Sequence, residues 1–444
     1  MEEKFSSYIY PDFTKDELRR KIKSNPSSPF LPMNTRSDLF DWQVVVGNVL
    51  GAMLKKRIGK YTYDQFREDA HQAFKELLES DAGWEVLNKA YFEKKNVFNI
   101  SPEFLMFYAS KQRGTSARVS RFYSDILGPE RIDFKNEHLN FLEKILAQTL
   151  EDHLEGVASL KGEHTPAYLP YMALLFKKDI QWLANHSQSF LREIQNFLSF
   201  YGFLYAAQLG LSISSLGSAD EPVSKPLYFI LESEKASLER TRVQEYGYKS
   251  YWEGAKKIFP VLTMNEMLQM NSPQSIPMWQ LIQRYEQNPN REQIVSELNS
   301  FMDFFISERE LEDQYEPVED VSGVIKALCK LSERQFTDKR SGKSGVESKY
   351  ASGIGLYFGK PFIQSRGRVG KVLILSHDIV LLLTNLAIGN NDKMRFCDVM
   401  KEFQARGVYL DKQSEQELIG FYERIGNVER LSDSGDAVYV CKTF

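Results

Sequence analysis

Residues 392–426 read DKMRFCDVMKEFQARGVYLDKQSEQELIGFYERIG, and this stretch decides the fold at the C-terminus. Its first part, 392–407, predicts one helix, and 412–426 predicts a second, with a short connector at 408–411. After them, the segments 427–431 and 438–444 flank the turn sequence Ser432-Asp-Ser-Gly-Asp436, a pattern that predicts a β-hairpin.

Two helices followed by a hairpin form the core of a winged helix, and residues 377–388 supply a preceding helix. Such modules bind nucleic acid or another protein far more often than they catalyse a reaction. In the second helix we expect Leu418, Tyr422 and Ile425 to form the core stripe. The predicted fold class is mainly α, with a large multi-helix N-terminal body and a small C-terminal α+β winged-helix module.

The chain before this module repeats the helical pattern many times, with turn sequences between the apolar stretches. One apolar run of strand length, Leu227-Tyr-Phe-Ile-Leu231, fits either a strand or the start of a buried helix. We predict four regions along the chain. They are an N-terminal helical domain at 1–220, a second helical region at 221–335, a basic Gly-rich connecting segment at 336–376 and the winged-helix domain at 377–444.

Composition and charge are those of an ordinary globular protein, with a net charge of -4 that predicts no global attraction to nucleic acid. The N-terminal residues have neither a basic region nor an apolar one of the secretory type, and only three cysteines occur, so we expect a cytoplasmic protein. Residues 196–213 are long enough to span a bilayer, but their polar side chains favour a central helix of a bundle over a membrane span.

The sign of the local charge reverses near residue 335. Between 303 and 320 there are eight acidic residues against Arg309, whereas 334–371 holds nine basic residues against two acidic ones. Glycine allows close backbone approach and cations neutralise phosphates, so this basic segment is the best candidate for contact with DNA. The predicted nucleic-acid-binding residues are Lys339, Arg340, Lys343, Arg366, Arg368 and Lys371.

Aromatic residues are interleaved with these bases and could stack on exposed nucleobases: Tyr350, Tyr357, Phe358 and Phe362. The alternative is a solvated loop whose charge balances the acidic run before it. The predicted winged helix is less suited to DNA, because residues 392–444 hold ten acidic and eight basic residues. Its second helix is therefore at least as well suited to docking on a partner protein.

No motif for a catalytic nucleophile, a cofactor or a metal is found, so we expect no cofactor and a non-catalytic protein. One cluster suggests another function. Glu232, Glu234 and Lys235 follow the run 227–231, and carboxylates beside a lysine at a strand end are typical of a metal-dependent DNA nuclease. A salt-bridged helix start, with Arg240 and Arg242, explains the same residues.

Two stretches resemble a known family. Residues 225–242, beginning KPLYFILESEKAS, and residues 406–440, which contain RGVYLDKQS and IGNVERLSDSGDAVYV, are similar to DptG, also called DndG. That family is the middle subunit of the three-component restriction complex that accompanies DNA phosphorothioation in bacteria. The resemblance covers about fifty residues, and the second stretch is the more specific.

The resemblance implies a role in antiviral defence, in a complex that attacks DNA lacking the sulfur modification. In that family the ATPase and nuclease signatures lie in the sibling subunits. The expected function is thus a non-catalytic adaptor that binds these ATPase and nuclease-type partners, with double-stranded DNA as a further candidate partner and no membrane. The alternatives are the nuclease subunit and a helical scaffold that binds proteins only.

Overall fold

Helices dominate the structure, which is a computed structural model. It describes residues 4–34, 40–78, 81–110, 114–135, 138–157, 164–312, 315–337, 344–430 and 438–443. Of residues 76–78 and 81–82 it describes the backbone only. Helix accounts for 61% and strand for 8%, and 17 α-helices occur in these ranges, so the mainly α class is confirmed. The helices are α1 Lys15–Ser24, α2 Trp42–Leu54, α3 Tyr63–Leu78, α4 Asp81–Leu87, α5 Thr115–Leu127, α6 Phe141–Glu151, α7 Pro170–Ala184, α8 Ser187–Ile213, α9 Thr241–Tyr246, α10 Tyr248–Met267, α11 Met278–Glu286, α12 Arg291–Glu308, α13 Val321–Thr337, α14 Val346–Tyr357, α15 His377–Ile388, α16 Phe396–Ala405 and α17 Lys412–Arg424.

The strands are short and form four small sheets in the described residues. An antiparallel pair joins β1 and β2, a parallel pair joins β3 and β8, and two three-stranded sheets have the orders β4-β6-β5 and β7-β10-β9. The strands are β1 Lys56–Ile58, β2 Leu154–Gly156, β3 Leu227–Tyr228, β4 Ile230–Leu231, β5 Ile363–Ser365, β6 Lys371–Leu375, β7 Lys393–Arg395, β8 Val408–Tyr409, β9 Val428–Arg430 and β10 Val438–Cys441.

Helix α8 lies at the centre of the body. Every residue from 197 to 210 is buried, which is the profile of a helix packed on all sides and confirms the prediction of a central helix. It crosses α10 at Gly210 and Gly254, where a Cβ added at Gly210 would lie 2.6 Å from the carbonyl carbon of Gly254. The glycines therefore allow backbone-to-backbone contact. Among the described helices, none combines the length and the apolar character that crossing a bilayer requires.

The hydrophobic core is largely continuous. One cluster of buried residues takes members from all four predicted regions, for example Ile9, Leu262, Phe362 and Val440. A second, smaller cluster lies between α3 and α6 and contains Phe66 and Leu146 among others. The fourfold division of the chain stays a prediction.

The apolar run at 227–231 is strand, not helix. Its first half pairs in parallel with β8 and its second half pairs in parallel with β6. The amide of Phe229 donates to the carbonyl of Tyr409 at 2.9 Å, and the amide of Glu232 donates to Leu375 at the same distance. This run thus connects the helical body to both later segments, and the predicted connector at 408–411 contains a strand.

The C-terminal region follows the predicted order with one correction. Helix α15 has the predicted bounds, but 392–407 is not a single helix, because Lys393–Arg395 is extended and α16 begins at Phe396. The reason is long-range pairing: β10 supplies hydrogen bonds to β7 on one side and to β9 on the other. The predicted hairpin strands are present, whereas the turn 432–436 lies outside the described residues.

The segment 336–376 is less loop-like than predicted. Residues 346–357 form α14, and Gly353 and Gly355 lie inside it rather than in loops. Both glycines face close neighbours, since a Cβ at Gly353 would lie 2.7 Å from the methyl carbon of Met33 and one at Gly355 would lie 3.5 Å from Ile363. Close packing of a helix explains these glycines. Strands β5 and β6 then form the predicted extended part.

Candidate nucleic-acid interface

The hairpin of β5 and β6 brings three predicted cations together. The strands are antiparallel, with Ser365 opposite Lys371 in the register. The loop closes where the amide of Arg366 donates to the carbonyl of Gly370 at 2.8 Å. Gly367 and Gly370 have φ of 55° and 85°, values that favour glycine, so the turn needs both of them. Arg366, Arg368 and Lys371 consequently lie within one short exposed turn and its edge.

The three cations differ in their exposure and in their contacts within the protein. Arg366 is half-buried, and its Nη2 donates to the carbonyl of Glu232 at 2.6 Å, so it also holds the hairpin against β4. Arg368 is exposed, and Lys371 places its Nζ 5.4 Å from the ring centroid of Tyr248. Arg368 and Lys371 are therefore the cations best placed to meet a phosphate. Of the other predicted contacts, Lys339, Arg340 and Lys343 lie outside the described residues.

Three of the four aromatic residues suggested for base stacking are buried. The side chains of Tyr350, Phe358 and Phe362 are at most 1% exposed, so they belong to the core and cannot stack on a nucleobase. Tyr357 is half-buried, with its ring 5.1 Å from that of Phe40. The buried aromatic residues of this segment serve to pack it on the body.

A cleft beside the hairpin has different aromatic walls. It is formed by α10, α14 and the strands β5 and β6, and its volume is about 370 Å³. Tyr248 and Trp252 of α10 line it, and Lys360 and Lys371 lie at the same cleft. Sequence reasoning missed the two aromatic residues because they precede the basic segment by about a hundred positions. Their four-residue spacing on one helix face was the available signal.

One of the residues suggested for a nuclease, Glu234, is part of an ion-pair network. Glu234 is buried, and its carboxylate accepts from the amide of Leu231 at 2.7 Å and from Arg240 Nη1 at 2.6 Å. Arg240 Nε donates to Asp411 at 2.8 Å. The salt-bridged interpretation therefore describes Glu234, while Glu232 is exposed. No group of three or more His, Cys, Asp or Glu side chains with metal-binding geometry occurs in the described ranges.

The same network fixes the start of α17. Asp411 caps this helix by accepting from the amide of Ser414 at 3.0 Å, and Arg240 Nη2 donates to the Ser414 hydroxyl at 2.6 Å. Burial alone would raise the pKa of Asp411, but the hydrogen bonds from Arg240 and Ser414 outweigh it and lower the pKa. One side of the first turn of α17 is thus packed against the body through Ser414, while Lys412 and Gln413 are exposed.

The exposed face of α17 mixes both charges, with Lys412, Glu417, Glu423 and Arg424. Leu418 and Tyr422 are buried as predicted, but Ile425 is 41% exposed, because α17 ends at Arg424 and Phe421 takes the place in the core instead. A face of this kind suits a protein partner better than a phosphate backbone.

A second buried arginine anchors the C-terminal region. Arg406 follows α16 and donates from Nε and Nη2 to the two carboxylate oxygens of Asp179 on α7, at 2.8 and 2.7 Å. Tyr201 donates to the same carboxylate from α8. Gly407 comes next with φ of 88°, and a Cβ there would collide with the side chain of Gln208. The C-terminal region is therefore joined to the body by buried polar contacts as well as by strands.

Another basic cleft, of about 930 Å³, contains Lys55, Lys56, Arg57 and Lys60 and was not anticipated from the sequence. Most of its cations have intramolecular partners. Lys56 pairs with Glu151, Arg57 pairs with Glu155 at 2.8 Å, and Lys55 Nζ donates to the carbonyl of Gly128 at 2.8 Å. Burial and the nearby Lys177 lower the pKa of Lys55. This cleft is the weaker candidate for binding phosphate.

Comparison with known proteins leaves the geometry as the main guide to function. No protein-family model matches the chain, and no curated protein is similar to it in sequence.

Proposed function

We propose that the protein is a non-catalytic, cytoplasmic adaptor subunit of a phosphorothioation-dependent DNA restriction complex, and that the β5–β6 hairpin contacts DNA phosphates. The observation that carries the DNA contact is the collection of Arg366, Arg368 and Lys371 in one exposed turn, with Lys360 at the adjoining cleft. Phosphate neutralisation by such cations supplies most of the affinity of sequence-independent DNA binding. The resemblance of residues 225–242 and 406–440 to DptG carries the assignment to restriction.

In this proposal the C-terminal region is a winged helix that docks on a sibling subunit. Its order of elements, α15, β7, α16, α17, β9 and β10, with the sheet β7-β10-β9, supports that topology. The packing of Ser414 against Arg240 at the start of α17 and the mixed charge of the exposed helix face favour a protein surface over a DNA groove. The hairpin and the winged helix would then have separate tasks, DNA contact and partner contact.

DNA contact by the hairpin predicts a change in salt dependence. Replacing Arg368 and Lys371 together by glutamine should weaken duplex DNA binding and reduce the slope of log K against log salt by roughly one unit per lost contact, because fewer counterions are released. Fluorescence anisotropy with a labelled duplex at several salt concentrations measures the slope. The matched control replaces Lys412 and Arg424, which lie on α17, by glutamine and should keep the slope. A slope that is equal in all three proteins removes the hairpin from the interface.

The adaptor role predicts association with specific partners. Co-expression of the whole chain with the proteins encoded beside it should yield a stable complex containing an ATPase and a nuclease-type protein. We expect this because the winged helix is the proposed surface for docking on a sibling subunit. Co-purification followed by mass spectrometry identifies the components. If the neighbouring genes encode nothing of the phosphorothioation type, the assignment to this restriction system fails, whatever the outcome of the DNA titration.

A further inference from the structure

The cleft beside the hairpin has one wall of aromatic rings. Tyr248 and Trp252 lie one helical turn apart on α10, and their rings are nearly parallel, with an interplanar angle of 16°. Both side chains are partly exposed, whereas those of Tyr350, Phe358 and Phe362 are buried. Parallel, accessible rings on a rigid helix are suited to stacking against a planar ligand.

The floor of the cleft contains a hydroxyl group without a partner. Tyr251 is 1% exposed, it lines the cleft, and its Oη has no hydrogen-bond partner in the part of the chain that the structure describes. The Oη lies 3.7 Å from the position that a Cβ would take at Gly355, so a side chain at this position would contact the hydroxyl and glycine leaves it uncovered on that side. A buried hydroxyl is costly to leave unpaired, so a polar ligand atom within reach of Tyr251 Oη would gain a hydrogen bond without breaking one inside the described part of the chain.

Cations and hydroxyl groups occupy the edge of the cleft. Lys360 and Lys371 are exposed and line it, as do the exposed side chains of Ser352 and Ser365. The volume of about 370 Å³ lies within the usual range for small-molecule sites. The ligand should therefore combine a planar ring, a polar ring edge and an anionic group.

We propose that this cleft binds one unpaired nucleotide of a DNA strand. The base stacks on Tyr248 and Trp252, its edge hydrogen-bonds to the hydroxyl of Tyr251, and a flanking phosphate is neutralised by Lys360 and Lys371. The inference rests on the proposed DNA contact of the hairpin, because Lys371 belongs to both the hairpin and the cleft. It adds that the protein distinguishes an unpaired base from a paired one, since a base within a duplex offers neither its face nor its Watson–Crick edge.

Tyr251→Phe is the most informative variant. It removes a hydroxyl that has no partner among the described residues, so the midpoint of thermal unfolding should stay unchanged or rise. The affinity for a short single-stranded oligodeoxythymidine, measured by fluorescence anisotropy, should fall about three- to tenfold. Tyr63→Phe is the matched control, because its hydroxyl is also buried without a partner but packs beside the second core cluster. That control should bind as the unchanged protein does.

Trp252→Leu provides a second measurement. Loss of the stacking surface should lower the affinity for the same oligonucleotide roughly tenfold, without a change in the salt slope, because no charge is removed. Unchanged affinity in both Tyr251→Phe and Trp252→Leu would overturn the proposal. A second result would also overturn it. If deoxythymidine 5′-monophosphate binds in a way that depends on Tyr251 and Trp252, and the oligonucleotide does not compete with it, the cleft holds a free nucleotide.

The outcome for the cleft can be separated from that for the hairpin. If duplex binding depends on Arg368 but neither Tyr251→Phe nor Trp252→Leu changes the affinity for the oligonucleotide, the cleft proposal fails and the hairpin contact stands. If neither duplex nor oligonucleotide binds the whole chain, both proposals fail. Arg368 is the discriminating cation because it does not line the cleft.

Discussion

Replacing Arg406 by alanine is expected to lower the free energy of unfolding by about 3–5 kcal/mol, the range found when one partner of a buried ion pair is removed. The side chain of Arg406 is 0% exposed and that of Asp179 is 1% exposed. Burial alone would lower the pKa of Arg406, but the charge of Asp179 outweighs it and raises the pKa. Without the guanidinium, the Asp179 carboxylate would remain buried, and Tyr201 would be its one side-chain donor among the described residues.

Urea unfolding followed by circular dichroism measures this change, and two further variants make the result specific. Arg424→Ala removes an exposed arginine from α17 and should alter the free energy of unfolding by no more than about 0.5 kcal/mol. The double variant Asp179→Ala with Arg406→Ala should be less destabilised than the sum of the single variants, because no unpaired charge is left. A cost for Arg406→Ala no larger than that for Arg424→Ala would show that the buried pair does not anchor the C-terminal region.

The Arg406 anchor marks the limit of what the local sequence predicts. The end of a helix before Gly407 could be recognised, since glycine commonly follows a helix. The direction in which the Arg406 side chain points could not be recognised from the local sequence, because its partner Asp179 lies 227 positions earlier. The same holds for β7, whose three residues are too few to show a strand period and are extended because β10 pairs with them. By contrast, α15 was predicted with its observed bounds from a twelve-residue pattern.

The candidate site was predictable only in part for a related reason. Local composition located the cations Arg366, Arg368 and Lys371, because charge density is a property of neighbouring residues. Local composition could not separate buried aromatic residues from partly exposed ones. Phe362 and Trp252 both lie close to bases or glycines in the sequence, yet the packing of α10, α14 and β5 decides which of the two rings reaches solvent. The floor of the cleft, Tyr251, depends on three elements that are distant in sequence.

Deleting residues 438–444 is expected to unfold the whole C-terminal region rather than to fray one edge. Strand β10 is the central strand of its sheet, so its removal breaks the pairing with β7 and with β9 at once. The deletion also removes the buried side chain of Val440 and the hydrogen bonds of Thr443 to Asn385 on α15, at 2.6 and 2.8 Å. Limited proteolysis should then cut within 377–430, where the intact chain is protected, because local unfolding exposes the backbone.

A pair of point variants on β10 separates packing from the simple loss of chain. Successive residues of a strand face opposite sides, so Val440 points into the core while Tyr439 is partly exposed beside Lys393 and Arg395. Val440→Asp buries an unpaired carboxylate and should destabilise the region by about 4 kcal/mol or more, with the same proteolytic cuts as the deletion. Tyr439→Thr keeps the strand and its backbone hydrogen bonds and loses an exposed hydrogen bond from Arg395, so it should cost less than about 1 kcal/mol and stay protected. Equal protection of all these proteins from proteolysis would mean that the sheet adds no stability to the region. Helices α15, α16 and α17 would then be held by the body alone, through the contacts of Arg406 and of the strand at 227–231.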